Sequence, residues 1–357
     1  MSLESGAAPP ADLATPVTVR TATAADRAHW NAYVFRHPAA TFFHRFEWSG
    51  VLERAFGHAS HYLIAERARQ VVGVLPLAEM RSLLFGHALV STPFCVYGGV
   101  LADDTTARLA LEAAAIARGE RLGVDHLEFR NAAPVHEDWQ RKDLYVTFRR
   151  ELAADDEAEL NLIPRKARAE VRKGLKNGLT AEVCHEPGEW YDLYAESLRN
   201  LGTPVFHRDY ASVLLETFGE DCEVLILRAA DGTPLTSVLS FYFRGDVLPY
   251  YGGGGAAARS TGAHDLMYYE VMRRARTRGC TAFDFGRSKR GTGSHAFKRN
   301  MGFTETPLHY EYRLVAAREM PNLSPTNPKY SLLINAWQRL PLWASKLVGP
   351  PLARSLG

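Results

Sequence analysis

Four consecutive glycines stand at 252–255, in YYGGGGAAARSTGAH at residues 250–264, a pattern that chemistry could use. Each glycine costs backbone entropy on folding, so the run needs a return in close approach or unusual dihedrals. Two readings stay open: a flexible connector, or a loop whose bare backbone at Gly252, Gly253 and Gly254, beside Tyr251, meets a ligand. A strand-like run before it and a helix-like run after it would bring free amides and the helix dipole to one point, a ready anion site. Residues 163–179 (IPRKARAEVRKGLKNGL) hold six cations against the single carboxylate of Glu170. On a helix Arg165, Arg168 and Arg172 share a face. Such a stripe suits the phosphates of a nucleotide-linked substrate or an RNA backbone; a solvated helix between two halves is the alternative. Asp284 lies mid-strand in FDFG, so its carboxylate points opposite to Phe283 and Phe285. There it binds or orients an amine, or pairs with Arg287, and Glu128 fits the same two readings. Tyr97, Tyr250 and Tyr251 flank the glycines as core residues or as a substrate platform. His44 and His207, in loops, are candidates for a proton route. The histidines show no H-E-x-x-H or clustered ligand spacing, so no metal site is expected.

These residues need elements to hold them. Residues 237–243 (SVLSFYF) and 246–251 (DVLPYY) flank a turn-like Arg244-Gly245, a hairpin pattern. Residues 263–277 (AHDLMYYEVMRRART) space their apolar side chains as a helix does and stop at Arg278-Gly279. The same succession occurs earlier in the chain. VGVLPL at 72–77, STPFCVYGGV at 91–100, a helix over 106–121 and VDHLEFR at 124–130 answer to LTSVLSFYF, PYYGG, the 263–277 helix and CTAFDFG. Aligning Gly123 with Gly279 sets Leu127-Glu128-Phe129 opposite Phe283-Asp284-Phe285. Gly99 and Gly253 then precede those helix stops by 24 and 26 residues. Each unit also opens with a strand and two helices. The sequence therefore predicts an α/β (α+β) fold of two tandem halves, each of β-α-α-β-β-β-α-β order with a mixed sheet flanked by helices. Expected boundaries are a disordered tail over 1–16, a first half over 17–150, a linker over 151–163, a second half over 164–318 and a basic amphipathic tail over 319–357.

That order, with a glycine loop before the third helix of the unit, resembles the GNAT acyltransferase fold, whose loop binds the pyrophosphate of acyl-CoA through backbone amides. FHRFEW (43–48), VGVLPL, STPFCVYGG, IPRKARAEVRKGLKNGL, FDFG and FKRNMGF (297–303) resemble one family more closely. They are similar to the FemAB-like transferases, tandem-GNAT enzymes that use aminoacyl-tRNA to extend peptidoglycan cross-bridges. The combination is most similar to the branch that accompanies exosortase (PEP-CTERM) and exopolysaccharide loci. The resemblance runs from about residue 17 to residue 315. It implies that Lys298, in the recurring Phe297-Lys298 signature, stands at the acyl-donor site, where an ammonium neutralises donor phosphates or a developing oxyanion. Lys298 and Asp284 are thus the expected catalytic residues. Gly252, Gly253, Gly254, Tyr251, Phe297, Arg165, Arg168 and Arg172 are the expected substrate and donor contacts.

The implied reaction is N-acyl or aminoacyl transfer to an amine of a cell-envelope or exopolysaccharide precursor. A neutral amine attacking an activated ester or thioester needs positioning, a route for its proton and a polarised carbonyl, and no Ser–His–Asp nucleophile. No permanently bound cofactor is expected, and the donor is acyl-CoA or aminoacyl-tRNA. The chain lacks the long charged helical hairpin that some peptidoglycan enzymes use as an arm. Two alternatives stand beside this reading: an acyl-CoA-dependent N-acetyltransferase, and a non-catalytic glycan- or partner-binding protein of an export system. Expected partners are a small-molecule or lipid-linked glycan acceptor, a tRNA if that is the donor, and a peripheral membrane contact through residues 331–357.

Composition bounds these expectations. The 357 residues suit two domains of ordinary size, with 46% hydrophobic and 23% charged content typical of globular chains. A net charge of +2 gives no global drive toward nucleic acid or anionic membrane, so any such preference is local. Cys95, Cys184, Cys222 and Cys280 form no C-x-x-C pair, which argues against zinc and disulfide frameworks and suits a reducing compartment. The start, MSLESGAAPPADLATP, lacks a signal pattern, and no run reaches the apolar length of a membrane span. The expected location is the cytoplasm, with peripheral contact at the inner face of the membrane.

Overall fold

Pro234–Phe243 is buried along almost its whole length, as a strand covered on both faces must be. Its side chains alternate between two cores: Leu239 and Phe241 enter one, Val238 and Tyr242 the other. In the computed structural model, which describes residues 15–82, 86–320 and 334–356, this strand is central to the second half. Thr180–Cys184, Cys222–Arg228, Pro234–Phe243 and Asp246–Gly254 follow one another antiparallel. Helices Gly188–Leu201 and Asp209–Phe218 lie between the first two strands in sequence. Helix Ala263–Thr277 then crosses over to Ala282–Asp284, which pairs parallel to Asp246–Gly254. The first half repeats the order, with Gly86–Ser91 parallel to His126–Asn131 after helix Thr105–Leu122. Asp104 caps that helix through Ala107 N at 2.9 Å, and Gly123 ends it with φ +64. Pro76, which has no amide hydrogen, parts Gln70–Leu75 from Leu77–Ser82 and splits the first half's sheet in two.

The halves exchange their last strands. Tyr145–Glu151, from the first half, pairs with Ala282–Asp284 of the second, with Arg149 opposite Asp284. His309–Leu314, from the second half, returns to pair with His126–Asn131 of the first, with Tyr312 opposite Glu128. One core also spans the junction: Phe42 stacks on Phe241 at 4.5 Å between centroids, and Trp48 meets Phe218 at 5.2 Å.

The expected linker at 151–163 contains a helix, Asp156–Leu162, whose buried Glu159 pairs with Arg150 and Arg276. The expected N-terminal tail lies outside the described residues up to position 14, as does 321–333 of the C-terminal tail. The rest of that tail includes helix Leu342–Ala353, which starts at Pro341. One face packs on the protein: Lys346 binds Asp192 at 2.5 Å, Gly349 lies against Val205, and the Arg354 carbonyl contacts His58 Nε2 at 2.8 Å. Among the described residues no helix is long and apolar enough to cross a membrane, and no grouping of His, Cys, Asp and Glu could hold a metal ion.

Candidate active site

Asp246–Gly254 and Ala282–Asp284 pair only at Asp246–Ala282 and Val247–Phe283, after which the two strands part. On the other edge of Asp246–Gly254 the register slips: Leu239 faces Tyr251 but Ser240 faces Pro249. Tyr250 is the extra residue of this bulge, which bends the strand and re-aims its side chains. A cavity of ≈ 360 Å³ opens where the strands diverge. Tyr250, Tyr251 and Gly252 line it from one strand, Phe285 and Arg287 from the continuation of the other, and Tyr268, Ser294 and Lys298 from helices. Thr203, Pro204 and Phe206 roof it, together with Phe94 of the first half and Ala353 and Leu356 of the C-terminal segment.

Lys298 and Asp284 both fasten the turn at residues 285–287. The Lys298 ammonium donates to the carbonyls of Phe285, Gly286 and Arg287 at 2.7, 3.0 and 3.1 Å. Burial draws its pKa down to about 7, with Asp284 opposing and Arg287 assisting the shift. Asp284 is 4% exposed and does not line the cavity. Its carboxylate accepts from Gly286 N at 2.7 Å, Tyr97 Oη at 2.9 Å and Thr147 Oγ1 at 3.1 Å. Burial raises its pKa, against those three donors. The pairing of Asp284 with Arg287 considered from the sequence is not made. Gly286 itself sits at φ +63, where a side chain is strained.

The glycine run is a strand, not a loop. Gly252, Gly253 and Gly254 pair with Val238, Ser237 and Thr236. A Cβ on Gly253 would lie 2.8 Å from Tyr194 Cα and 3.1 Å from the Leu193 carbonyl, so helix Gly188–Leu201 rests directly on the bare strand. Gly254 is crowded by His264 and Thr236, and of the three only Gly252 lines the cavity. The glycines thus answer to helix–strand packing. Tyr251 lines the cavity with its hydroxyl 2.8 Å from that of Tyr210. Phe297 is a packing residue behind the wall, 5.4 Å from Tyr268 and 6.4 Å from Phe285 between centroids.

Arg165, Arg168 and Arg172 stand on helix Arg165–Lys176 and do not line the cavity. Arg168 turns back on its own helix start, to the Ile163 carbonyl at 3.1 Å and Asn161 Oδ1 at 2.9 Å; Arg165 and Arg172 are exposed. His44 is buried between Thr41 and the Gly99 carbonyl, and burial lowers its pKa to about 4. His207 is exposed beside Asp209 and does not line the cavity. In the first half the position equivalent to Gly286 is Arg130, only 2% exposed. It donates to Glu128 at 2.8 Å and to the Cys95 carbonyl at 2.7 Å, so a side chain fills the space that is open in the second half. Arg287, Tyr268 and Ser294 were not singled out as site residues from the sequence. The helical spacing that places Tyr268 and the glycine before Arg287 were the available signals.

Residues 165–299 match the family model of the acetyltransferase (GNAT) domain. No curated protein matches the chain. Among solved structures it is similar to FemX at 15% identity and TM-score 0.66, covering 89% of this chain and 100% of that one. It is also similar to the C-terminal (DUF2156) domain of a protein named as a lysylphosphatidylglycerol synthetase from Agrobacterium fabrum. That likeness has 14% identity and TM-score 0.56, over 82% of this chain and 93% of the other. A tandem GNAT protein from the clavulanic acid biosynthesis pathway, solved without AcCoA, matches at 13% identity and TM-score 0.55, over 85% and 100%. At such identities the likeness is one of fold. The cavity residues from Tyr250 to Lys298 all fall inside the segment that matches the acetyltransferase (GNAT) domain model, and the chain has a fold of tandem GNAT type.

Proposed function

We propose that the chain transfers an acyl or aminoacyl group to an amine of a cell-envelope or exopolysaccharide precursor, in the cavity of its second half. The observation that carries this reading is the cavity between the two diverging strands of a GNAT domain, walled by tyrosines and by the cations Arg287 and Lys298. The amine attacks the acyl carbonyl, a C–N bond forms, and the ester C–O or thioester C–S bond breaks. The amine's surplus proton passes to the departing oxygen or sulfur, directly or relayed through water, so that it leaves as alcohol or thiol. Positioning supplies most of the acceleration. The fixed positive charge of the 285–287 turn favours the negative charge that develops on the carbonyl oxygen.

FemX and the relative named for lysylphosphatidylglycerol support an aminoacyl donor, and helix Arg165–Lys176 offers cations for its RNA. A CoA thioester is the second reading, supported by the acetyltransferase family model and by a relative described with respect to AcCoA. The exosortase-linked motif combination supports an exopolysaccharide acceptor. We place the reaction at the cytoplasmic face of the membrane, where a lipid-linked glycan would be met. Incubating the purified protein with aminoacyl-tRNA or acyl-CoA and amino-sugar precursors, followed by mass spectrometry, tests the reading. The acceptor is expected to gain the mass of the acyl group. Donor hydrolysis alone, with every acceptor unmodified, would overturn it.

A further inference from the structure

Arg287 brings five N–H donors to the cavity wall and spends almost none on protein. Its Nη1 lies 3.5 Å from the Tyr310 hydroxyl, at the limit of a hydrogen bond. That hydroxyl gives its own proton to the Val96 carbonyl at 2.8 Å. The guanidinium lies 4.8 Å from the Tyr145 ring centroid and 5.8 Å from that of Tyr310, so two rings brought by the exchanged strands support it. Among the described residues no carboxylate pairs with it, and Asp284 is committed to Gly286, Tyr97 and Thr147. Among the described residues no Asp or Glu lines the cavity, while Arg287 and Lys298 do. Taking a charge partly out of water without a partner is costly. Here the protein also holds the charge in place, through three carbonyl bonds from Lys298 and one amide bond to Asp284. Although burial opposes the charge, the nearby tyrosine oxygens keep it above the ordinary arginine range.

We infer that Arg287 is the anion-binding residue of this cavity, taking a phosphate or carboxylate of the substrate through paired N–H bonds of its guanidinium. Naming that oxyanion a substrate's rests on the acyl-transfer reading; its capture by Arg287 does not. Phosphate and carboxylate share the geometry that the guanidinium fork matches.

Calorimetric titration of the full chain with inorganic phosphate, pyrophosphate and acetate, at ionic strength fixed with sodium chloride, is the test. Saturable binding of at least one of them is expected. Arg287→Gln should weaken it about 10- to 100-fold, the scale of a charge-assisted pair. Arg287→Lys, which keeps the charge and loses the fork, should fall between. Arg121→Gln, at the exposed end of helix Thr105–Leu122 in the first half, should bind as the wild type does. Preference for phosphate or pyrophosphate assigns a phosphoryl group to the site, and preference for acetate a carboxylate. Thermal midpoints without ligand establish that each variant is folded, and Arg287→Lys serves if Arg287→Gln is not. The inference fails if none of the three anions saturates, or if the folded Arg287 variants bind like the wild type. Anion binding that depends on Arg287 in a protein without transferase activity would sink the reaction and leave the site standing.

Discussion

Asp284 and Lys298 both grip one three-residue turn, and what that turn presents to the cavity is Arg287. FDFG and FKR are conspicuous in the sequence, so Asp284 and Lys298 were legible there as candidates for catalysis, but not as clamps of a turn. Arg287 was not, because a carboxylate three residues away offers an obvious ion pair. The rings that support it come from positions 145 and 310, on strands that no local pattern assigns to this site. Lys298 gives a direct test of the turn. Replacing it with methionine leaves three carbonyls without their donor and should cost about 1–3 kcal/mol of stability. Transfer should fall with it, since the cation at 287 loses its support. The sign of the pH response is also fixed. The unfolded lysine keeps its proton up to 10.5, whereas the folded one releases it above about 7. Between those values the unfolded state binds more protons, so raising the pH stabilises the native wild type relative to it. Urea unfolding at pH 7 and pH 9 should show that gain in the wild type and its loss in Lys298→Met. Equal pH responses in the two proteins would show that the ammonium is not buried as described.

At the scale of elements, the long periodic segments were readable and the short strands were not. Helix Ala263–Thr277 has the bounds its apolar spacing predicts. The hairpin before it has its turn at Arg244-Gly245. Helices Asp156–Leu162 and Gly293–Asn300 were missed because they are short and mostly polar. The glycine run was misread for a different reason: composition cannot tell a glycine that frees the chain from one that admits a neighbour. Gly253 belongs to the second kind, with helix backbone at 2.8 Å from where a Cβ would stand. A helix backbone cannot step aside as a side-chain tip can. Gly253→Val should therefore destabilise by about 3 kcal/mol or more, the upper range for overpacking, and activity should fall because the fold does. Gly188→Ala, at a site with no heavy atom within 4 Å, should stay within about 0.5 kcal/mol of the wild type. Chemical denaturation of both variants checks this. A stable Gly253→Val with weakened donor binding would restore the ligand-loop reading.

For the whole molecule, the repeat was visible in the sequence and the strand exchange was not, because strand pairing between residues 145–151 and 282–284 leaves no local trace. Each half's sheet contains a strand of the other, so neither closes its core alone. Calorimetry should show one unfolding transition, and a fragment ending at residue 163 should not fold, as it lacks His309–Leu314; two separate transitions would contradict the interlock. The C-terminal helix ties this architecture to the proposed setting. Its outer face exposes Trp343 and Leu347, each 70% accessible, with Val348 and Leu352 beside them. Apolar groups of that size, grouped on one helix face, mark a contact surface. Residues 334–356 hold no acid, and with Lys346 paired to Asp192 the exposed Arg339 and Arg354 supply the charge that complements anionic lipid. Ala353 and Leu356, at the end of the same segment, line the cavity. A bilayer beneath this helix would therefore meet the cavity at its edge, where a lipid-linked acceptor needs to enter. The protein is expected to float with vesicles containing phosphatidylglycerol, less so with phosphatidylcholine alone or at high salt. Each large side chain buried in the interface contributes about 1.5–3 kcal/mol, so Trp343→Glu combined with Leu347→Glu should lower partitioning about 100-fold or more. Because both side chains point away from the protein, thermal stability and phosphate binding at Arg287 should hold. If the double variant floats as the wild type does, this helix does not meet the membrane, and the acceptor reaches the cavity from solution.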